Sequence, residues 1–239
     1  MIVELFAPAK LTTSLRVTGL RDDGYHLIDA EMVTLDWGDR LEVDPDGDSL
    51  VVVRDGVRSP GADDDLVSRA LRMVDRRAGV VLHKQVPAGA GLGGGSADAA
   101  AVLRWAGESD PQRTVRLGAD VAFCVFGGRA RVRGIGEQID PLPYEDRTFT
   151  LLTPPLHCST PEVYRRWDEM GGPTGGHGND LEPAALSRYP ELERWRDELG
   201  DSTGERPRLA GSGSTWFVEG AHPGPGRVVT RTRPADLAP

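Results

Sequence analysis

From residue 11 to 17, LTTSLRV, apolar and polar positions alternate: Leu11, Leu15 and Val17 share one face, Thr12, Ser14 and Arg16 the other. That period of two predicts a half-buried strand, and Lys10 extends its polar face. MVTLD (32–36), LEVD (41–44) and LVVVR (50–54) predict further strands separated by Asp/Gly turns, and their close spacing predicts antiparallel pairing. The period changes after the acidic run at 63–65. Leu66, Val67, Ala70, Leu71 and Val74 fall on one face of a helix, whose acidic start suits the helix dipole and which Gly79 ends. VVLHKQV (80–86) is a strand that runs straight into PAGAGLGGGSADAA (87–100). SADAAAVLRWAG (96–107) then predicts a helix, with Ser96 as its cap and Gly107 as its stop.

Further along, RARVRGI (129–135), TFTLL (148–152), TWFVE (215–219) and RVVTRT (227–232) predict strands. STPEVYRRWDEM (159–170), with Pro161 in its first turn, and PELERWRDELG (190–200) predict helices. GGPTGGHGN (171–179) reads as a flexible loop. The mixture predicts an α+β fold. The prolines and charges of PLPYEDR (141–147) place a boundary between an N-terminal unit, 1–147, and a C-terminal unit, 148–239.

At 239 residues, 38% hydrophobic and 27% charged, the composition is that of a globular protein long enough for two modest domains. No apolar run reaches membrane-spanning length, and the start, MIVELFAPAKL, lacks the basic-then-apolar order of a secretory signal. A net charge of −9 without a basic cluster argues against nucleic acid or a membrane as partner. Cys124 and Cys158 give neither a disulfide framework nor metal-ligand spacing. A cytoplasmic protein is expected.

Five glycines stand within the seven positions from Gly89 to Gly95, between a strand and a helix start. One reading is a tight turn. The other is a phosphate cradle, because glycines let backbone N–H groups approach an anion and the helix dipole favours negative charge. Gly89, Gly91 and Gly94 match G-x-G-x-x-G, but no second strand with a terminal acid follows, and the Lys-Ser/Thr end of a Walker A motif is missing. A cation must therefore come from elsewhere. Of 28 lysines and arginines only Lys10 and Lys84 are lysines, and a compact ammonium does what a planar guanidinium cannot.

Asp120 lies inside the apolar run LGADVAFCVFGG (117–128). It reads either as a helix N-cap or as a general base that orients a hydroxyl, with Lys10 as the ammonium that keeps it charged and balances a transferring phosphoryl group. DGYH (23–26) is a turn with an aromatic anchor, or a base-binding element in which Tyr25 stacks and His26 hydrogen-bonds. AGSGSTWF (210–217), containing Gly213, is a second anion-compatible loop that fits a substrate with several phosphates.

APAK with DGYH, PAGAGLGGGSADAA, the LGADVAF segment with its following glycines, and GSGST together resemble the GHMP small-molecule kinases over nearly the whole chain. STPEVY (159–164) and NDLEPAAL (179–186) strengthen the match; DGYH and NDLEPAAL resemble the branch whose acceptor is a cytidine-diphosphate-linked methylerythritol, an isoprenoid precursor. The resemblance implies a two-domain α/β sandwich with its active site in the interdomain cleft, ATP with Mg²⁺, and phosphorylation of an acceptor hydroxyl. It implies Lys10 and Asp120 as the catalytic pair. ATP would be held by Lys84 and by Pro87, Ala88, Gly89, Ala90, Gly91, Leu92, Gly93, Gly94, Gly95, Ser96 and Ala97. Thr12, Tyr25, His26 and Gly213 would contact the acceptor, and Ser96 is the candidate metal ligand. A small-molecule partner is expected, in a monomer or homodimer.

The sequence departs from the family at Thr12 (usually Asn), Ala97 (usually Ser) and Asp65 (usually Asn). The segment between Ala101 and Gly118 is short, and AHPGPG follows Gly220 where a helix is usual. The expected function is therefore an ATP-dependent kinase for the cytidine-linked acceptor, with a non-catalytic or altered-specificity nucleotide-binding relative as the alternative.

Overall fold

The computed structural model describes residues 1–235, so the last four residues of the expected 148–239 unit lie outside the described residues. Two long antiparallel strands, β1 (Val3–Leu20) and β2 (His26–Asp44), are joined by the DGYH turn. A hairpin of β3 (Leu50–Arg54) and β4 (Val57–Pro60), helix α1 (Leu66–Met73) and β5 (Gly79–Lys84) follow. Next come α2 (Gly94–Trp105), α3 (Pro111–Thr114), α4 (Ala119–Phe126), and the hairpin of β6 (Arg129–Gly134) and β7 (Gln138–Pro141). The chain ends with β8 (Thr148–Leu152), α5 (Thr160–Glu169), α6 (Glu182–Arg188), α7 (Leu192–Thr203), β9 (Arg208–Leu209), β10 (Trp216–Glu219) and β11 (Arg227–Arg233).

β2 is the spine of the fold, which is α+β as expected. It pairs with β1 along its length, with β6 through Ile28 to Val33, with β5 through Arg40 to Asp44, and with β11 at Thr34 and Leu35. β11 also pairs with β8, which pairs with β10 and β10 with β9, so the strands form one path, β4-β3-β5-β2-β11-β8-β10-β9. β1 and β2 pair antiparallel as expected, whereas β3 and β5 are parallel, because the α1 crossover returns the chain in the same direction.

Three apolar clusters hold these layers together. One sets Leu5, Leu41, Val43 and Leu82 of the sheet against Val67 of α1 and Val102 and Leu103 of α2. The alanines of α2, Ala97 and Ala99 to Ala101, let that helix lie close to the sheet. A second joins Leu15, Met32 and Val132 to Phe123, Val163, Leu192, Leu199 and Trp216. The third gathers Leu11, Val33, Leu92, Phe149 and Phe217 beneath the glycine loop, so residues from both halves of the chain support it. Each fully buried Leu or Phe stabilises the fold by roughly 1.5–3 kcal/mol.

Several local expectations are corrected. MVTLD and LEVD belong to one strand, with no turn from Asp36 to Arg40. The turn-forming side chains there are satisfied by neighbours: Asp36 accepts from Thr230 Oγ1 (2.6 Å) and Arg231 N (2.9 Å), and Asp39 from the end of β5. The first helix stops at Met73, not Gly79, because Asp75 turns left-handed (φ 51°) and Arg76 N bonds back to Leu71 O. Ser96 is not the cap of α2. The helix starts at Gly94 after a left-handed Gly93, whose carbonyl accepts from Ala97 N at 2.8 Å. β4, β7, α3, α6 and β9 were not anticipated.

Candidate active site

The strand period places Lys10 and Thr12 on the same face of β1, and Lys10 Nζ donates to Thr12 Oγ1 at 3.1 Å. The same ammonium lies 3.0 Å from Asp120 Oδ2, with the Lys10 side chain 5% exposed and that of Asp120 30% exposed. Asp120 is not an N-cap: Gly118 holds that position, and Asp120 sits in the first turn of α4, its carboxylate free to face Lys10. The pair opens onto a cavity of about 260 Å³ that Thr12, Gly91, Ser96, Thr160, Gly211 and Ser212 help line.

The glycine loop is pinned on three sides. Lys10 N donates to Leu92 O at 3.0 Å, which draws the loop onto β1. Gly91 has φ 76°, and a Cβ there would lie 2.2 Å from Ala210 O. At Gly93, φ 66°, a Cβ would lie 2.8 Å from Lys10 Cγ. Only glycine allows both the left-handed turns and these approaches. Ser214 N and Thr215 N donate to Gly89 O and Ala90 O at 3.2 and 3.1 Å, so the second glycine loop lies directly against the first.

NDLEPAAL explains how that second loop is held. Asn179, 3% exposed, donates to Leu209 O (2.9 Å) and Gly211 O (2.7 Å) and accepts from Leu181 N (2.9 Å). Asp180 accepts from Arg16 (2.6 Å) and from the N–H groups of Val17 and Gly175, both at 3.0 Å, which fastens the segment to β1. Gly211 and Ser212 reach the cavity, whereas Gly213 faces Leu209 and Cys158.

Lys84 lies beneath Gly94, with its ammonium 2.5 Å from Asp39 and 2.6 Å from Asp98. Burial alone would lower its pKa, but Asp98 and Asp39 more than offset that and raise it. Burial pushes the Asp98 carboxyl up to about 8 against the pull of Lys84. Asp98 Oδ1 has no hydrogen-bond partner. Asp65 has a plain role: its carboxylate caps α1, accepting from Val67 N at 2.8 Å.

The DGYH turn lies across the cleft. His26 stacks on Tyr164 of α5 (4.6 Å between ring centres), meets Trp167 edge-on (5.7 Å), and its Nε2 lies 2.8 Å from Asp168. Tyr25 is 59% exposed, with the Arg21 guanidinium 5.5 Å from its ring centre. Both rings line a second cavity, about 510 Å³, bounded also by Ile135, Arg165 and Asp168. It shares Ile28, Ala119, Thr160 and Tyr164 with the cavity at Lys10, so the two cavities adjoin. Burial pushes the Tyr164 phenol up, and nearby Asp120 pushes it the same way.

Among the described residues no group of three or more His, Cys, Asp or Glu side chains is arranged for a metal. The cleft does hold the Ser96 hydroxyl and the Asp120 carboxylate, a donor set that fits a Mg²⁺ ion carried mainly by phosphate oxygens and water. Sequence reasoning missed Asp39, Asp98, Tyr164, Thr160 and Asp168 as neighbours of the site. It noted NDLEPAAL without the bonds Asn179 makes.

Residues 65–128 match the family described as GHMP kinases N terminal domain. A relative from Azoarcus sp. (strain BH72), named 4-diphosphocytidyl-2-C-methyl-D-erythritol kinase, is 37% identical over 243 residues, covering 89% of this chain and 83% of the relative. A crystal structure of 4-(cytidine 5'-diphospho)-2C-methyl-D-erythritol kinase superposes with a TM-score of 0.76 at 30% identity, covering 96% of this chain and 99% of that one. A homoserine kinase from Cytophaga hutchinsonii shares the fold, with a TM-score of 0.59 at 20% identity over 92% of this chain and 85% of its own. Glycine loop, lysine–carboxylate pair and whole-chain likeness agree, and the chain belongs to the GHMP kinases, among the 4-diphosphocytidyl-2-C-methyl-D-erythritol kinases.

Proposed function

We propose that this protein transfers the γ-phosphoryl group of ATP to a hydroxyl of 4-diphosphocytidyl-2-C-methyl-D-erythritol. The observation that carries this is the 3.0 Å Lys10–Asp120 pair, set beside a glycine loop in a cleft that runs to Tyr25 and His26. The loop 87–97, through the N–H groups that follow Pro87, and the positive end of α2 hold the phosphates. The acceptor oxygen attacks the γ-phosphorus, the bond to the bridging oxygen breaks, ADP leaves, and the hydroxyl proton passes to Asp120. Lys10 balances the Asp120 charge in the resting site and the phosphoryl charge during transfer. Thr12 orients Lys10 beside the acceptor, Tyr25 and His26 hold the cytidine, and Gly213 shapes the loop that flanks the acceptor. Lys84 supports the loop from below.

Ser96 and Asp120 would hold Mg²⁺ with the nucleotide; the bound ion would supply charge neutralisation on the phosphates. Residues 1–147 supply the loop and the catalytic pair, and residues 148–239 complete the acceptor side through α5 and the second glycine loop. ATP and a charged nucleoside-diphosphate acceptor are consistent with the cytoplasmic monomer or homodimer that we propose. No helix among the described residues is long and apolar enough to cross a membrane.

The test is ADP release by purified protein with Mg-ATP and the cytidine-linked acceptor, with mevalonate and homoserine as parallel acceptors. Turnover with the cytidine-linked compound alone is expected. Faster turnover of another acceptor would reassign the specificity, and ATP binding without turnover would make the protein a non-catalytic relative.

A further inference from the structure

We propose that Asp39, a carboxylate with no exposed surface in the C-terminal part of β2, is a positioning residue that clamps both ends of the glycine loop. The proposal rests on the reading that this loop holds the phosphates of ATP. Asp39 is not in the cleft and touches no reacting atom. One oxygen, Oδ1, accepts from the backbone N–H groups of Gln85 and Val86, at 2.5 and 2.8 Å, which are the last residues before the loop begins at Pro87. The other, Oδ2, accepts from the Lys84 ammonium at 2.5 Å. Lys84 carries the link onward, because the same ammonium donates to Asp98 at 2.6 Å, in the second turn of the helix that leaves the loop. One side chain thus fixes the strand that enters the loop and, through a single lysine, the helix that leaves it.

The physical reason for such a clamp is the composition of the loop. Five glycines in seven positions cost more backbone entropy to order than any other residues would. If the loop ordered only when a nucleotide arrived, that cost would come out of the binding energy. Fixing the two ends beforehand shortens the free segment and aims its N–H groups while the site is empty. The Lys84 side chain is only 9% exposed and its ammonium is already paired with Asp39 and Asp98, so it serves the loop's support and not the phosphates.

The three members of the cluster are not equivalent. Asp39 faces three donors, and an amide in its place would turn its own NH₂ toward one of them. Asp98 faces one donor, and its Oδ1 is without a partner, so an Asn there keeps an oxygen for Lys84 and puts its NH₂ where nothing is lost. Asp39→Asn and Asp98→Asn each turn one carboxyl of the same cluster into an amide and should behave differently.

The experiment combines Mg-ATP titration calorimetry with amide hydrogen exchange on the nucleotide-free protein, for wild type, Asp39→Asn, Asp98→Asn and Val132→Ala. The last removes buried volume in β6, away from the loop, and controls for general loss of stability. In Asp39→Asn the Kd for Mg-ATP should rise roughly 10-fold or more and exchange across 87–95 should quicken before any nucleotide is added. In Asp98→Asn the Kd should stay within about threefold of wild type, and its loop exchange should be unchanged. Val132→Ala should lower the melting temperature while leaving the Kd and loop exchange alone. Asp39→Asn with wild-type loop exchange, or with a loss matched by Val132→Ala, would overturn the proposal. If wild type fails to bind Mg-ATP, the phosphate reading of the loop falls, while the exchange data still decide whether Asp39 clamps it.

Discussion

The ammonium of Lys10, on β1, stands 3.0 Å from the carboxylate of Asp120, in the first turn of α4. The two residues are 110 positions apart and meet because Gly118 takes over the helix cap and leaves the Asp120 side chain uncommitted. Thr12 completes the arrangement by accepting from the same ammonium. Replacing Asp120 by Asn should therefore lower kcat by about 10²- to 10⁴-fold, the usual worth of a positioned proton acceptor, with the circular dichroism spectrum unchanged. Lys10→Arg should fare no better, because the planar guanidinium does not fit the space between Thr12, Gly93 and Asp120. Steady-state kinetics check both, and near-normal kcat in either variant removes the role assigned to that residue.

Gly91→Ala probes the contact between the two glycine loops. The new methyl would sit 2.2 Å from Ala210 O at a residue with φ 76°, so strain and clash act together. The left-handed conformation alone costs roughly 1–2 kcal/mol for a residue with a Cβ. Weaker Mg-ATP binding and a lower melting temperature are expected, by calorimetry and thermal denaturation. Unchanged values for both would show that the loops are not packed as described.

Asn179→Asp keeps the size of the side chain and removes its two donors. The carbonyls of Leu209 and Gly211 would then face a carboxylate, in a site where Asn179 is 3% exposed. A loss of roughly 2–3 kcal/mol in urea denaturation is expected from stranding buried acceptors. Because Gly211 borders the Lys10 cavity, KM values should rise as well. A stability equal to wild type would count against the role of this motif as the fastener of the second loop.

Acid should loosen the molecule at two carboxylates that each gather two arginines. Arg129 and Arg147 converge on Glu31 at 3.1 and 3.2 Å, and Arg147 and Arg208 converge on Glu219 at 2.5 and 2.9 Å. Burial pushes the Glu31 carboxyl up, but the two arginines more than reverse this and hold it below its ordinary 4.5; Glu219 follows the same pattern. As pH falls the unfolded chain binds these protons first, so the contribution is complete above 4.5 and is lost as pH drops through the lower folded values. Below about pH 5 the melting temperature should decline, less steeply in Glu31→Gln. An identical decline in that variant would show that Glu31 does not carry the effect.

What was legible in the sequence was whatever depends on local period or on a run of special residues. The alternation around Leu11 to Val17 located part of β1, and the glycines of 89–95 located the loop. Long-range satisfaction of polar groups was not legible. Asp36 and Asp39 look like turn formers, yet each is held in a continuous strand by donors from β11 or β5. Ser96 looks like a cap, but the left-handed Gly93 starts the helix instead. Asp65 and Thr12, which differ from the family pattern, prove to have clear partners in Val67 N and Lys10. His26 was read as a lone base contact, whereas its ring is set by Tyr164, Trp167 and Asp168 on a helix 138 or more positions away.

The central claim is phosphoryl transfer to an acceptor hydroxyl within the Lys10–Asp120 cleft. Phosphorus NMR of a reaction containing the protein, Mg-ATP and 4-diphosphocytidyl-2-C-methyl-D-erythritol tests it most directly. The account predicts a new phosphomonoester resonance that grows as ADP forms, with the acceptor's own diphosphate intact, and its loss in Asp120→Asn. A spectrum in which ATP persists with no new phosphomonoester, from protein shown to bind ATP, would contradict it.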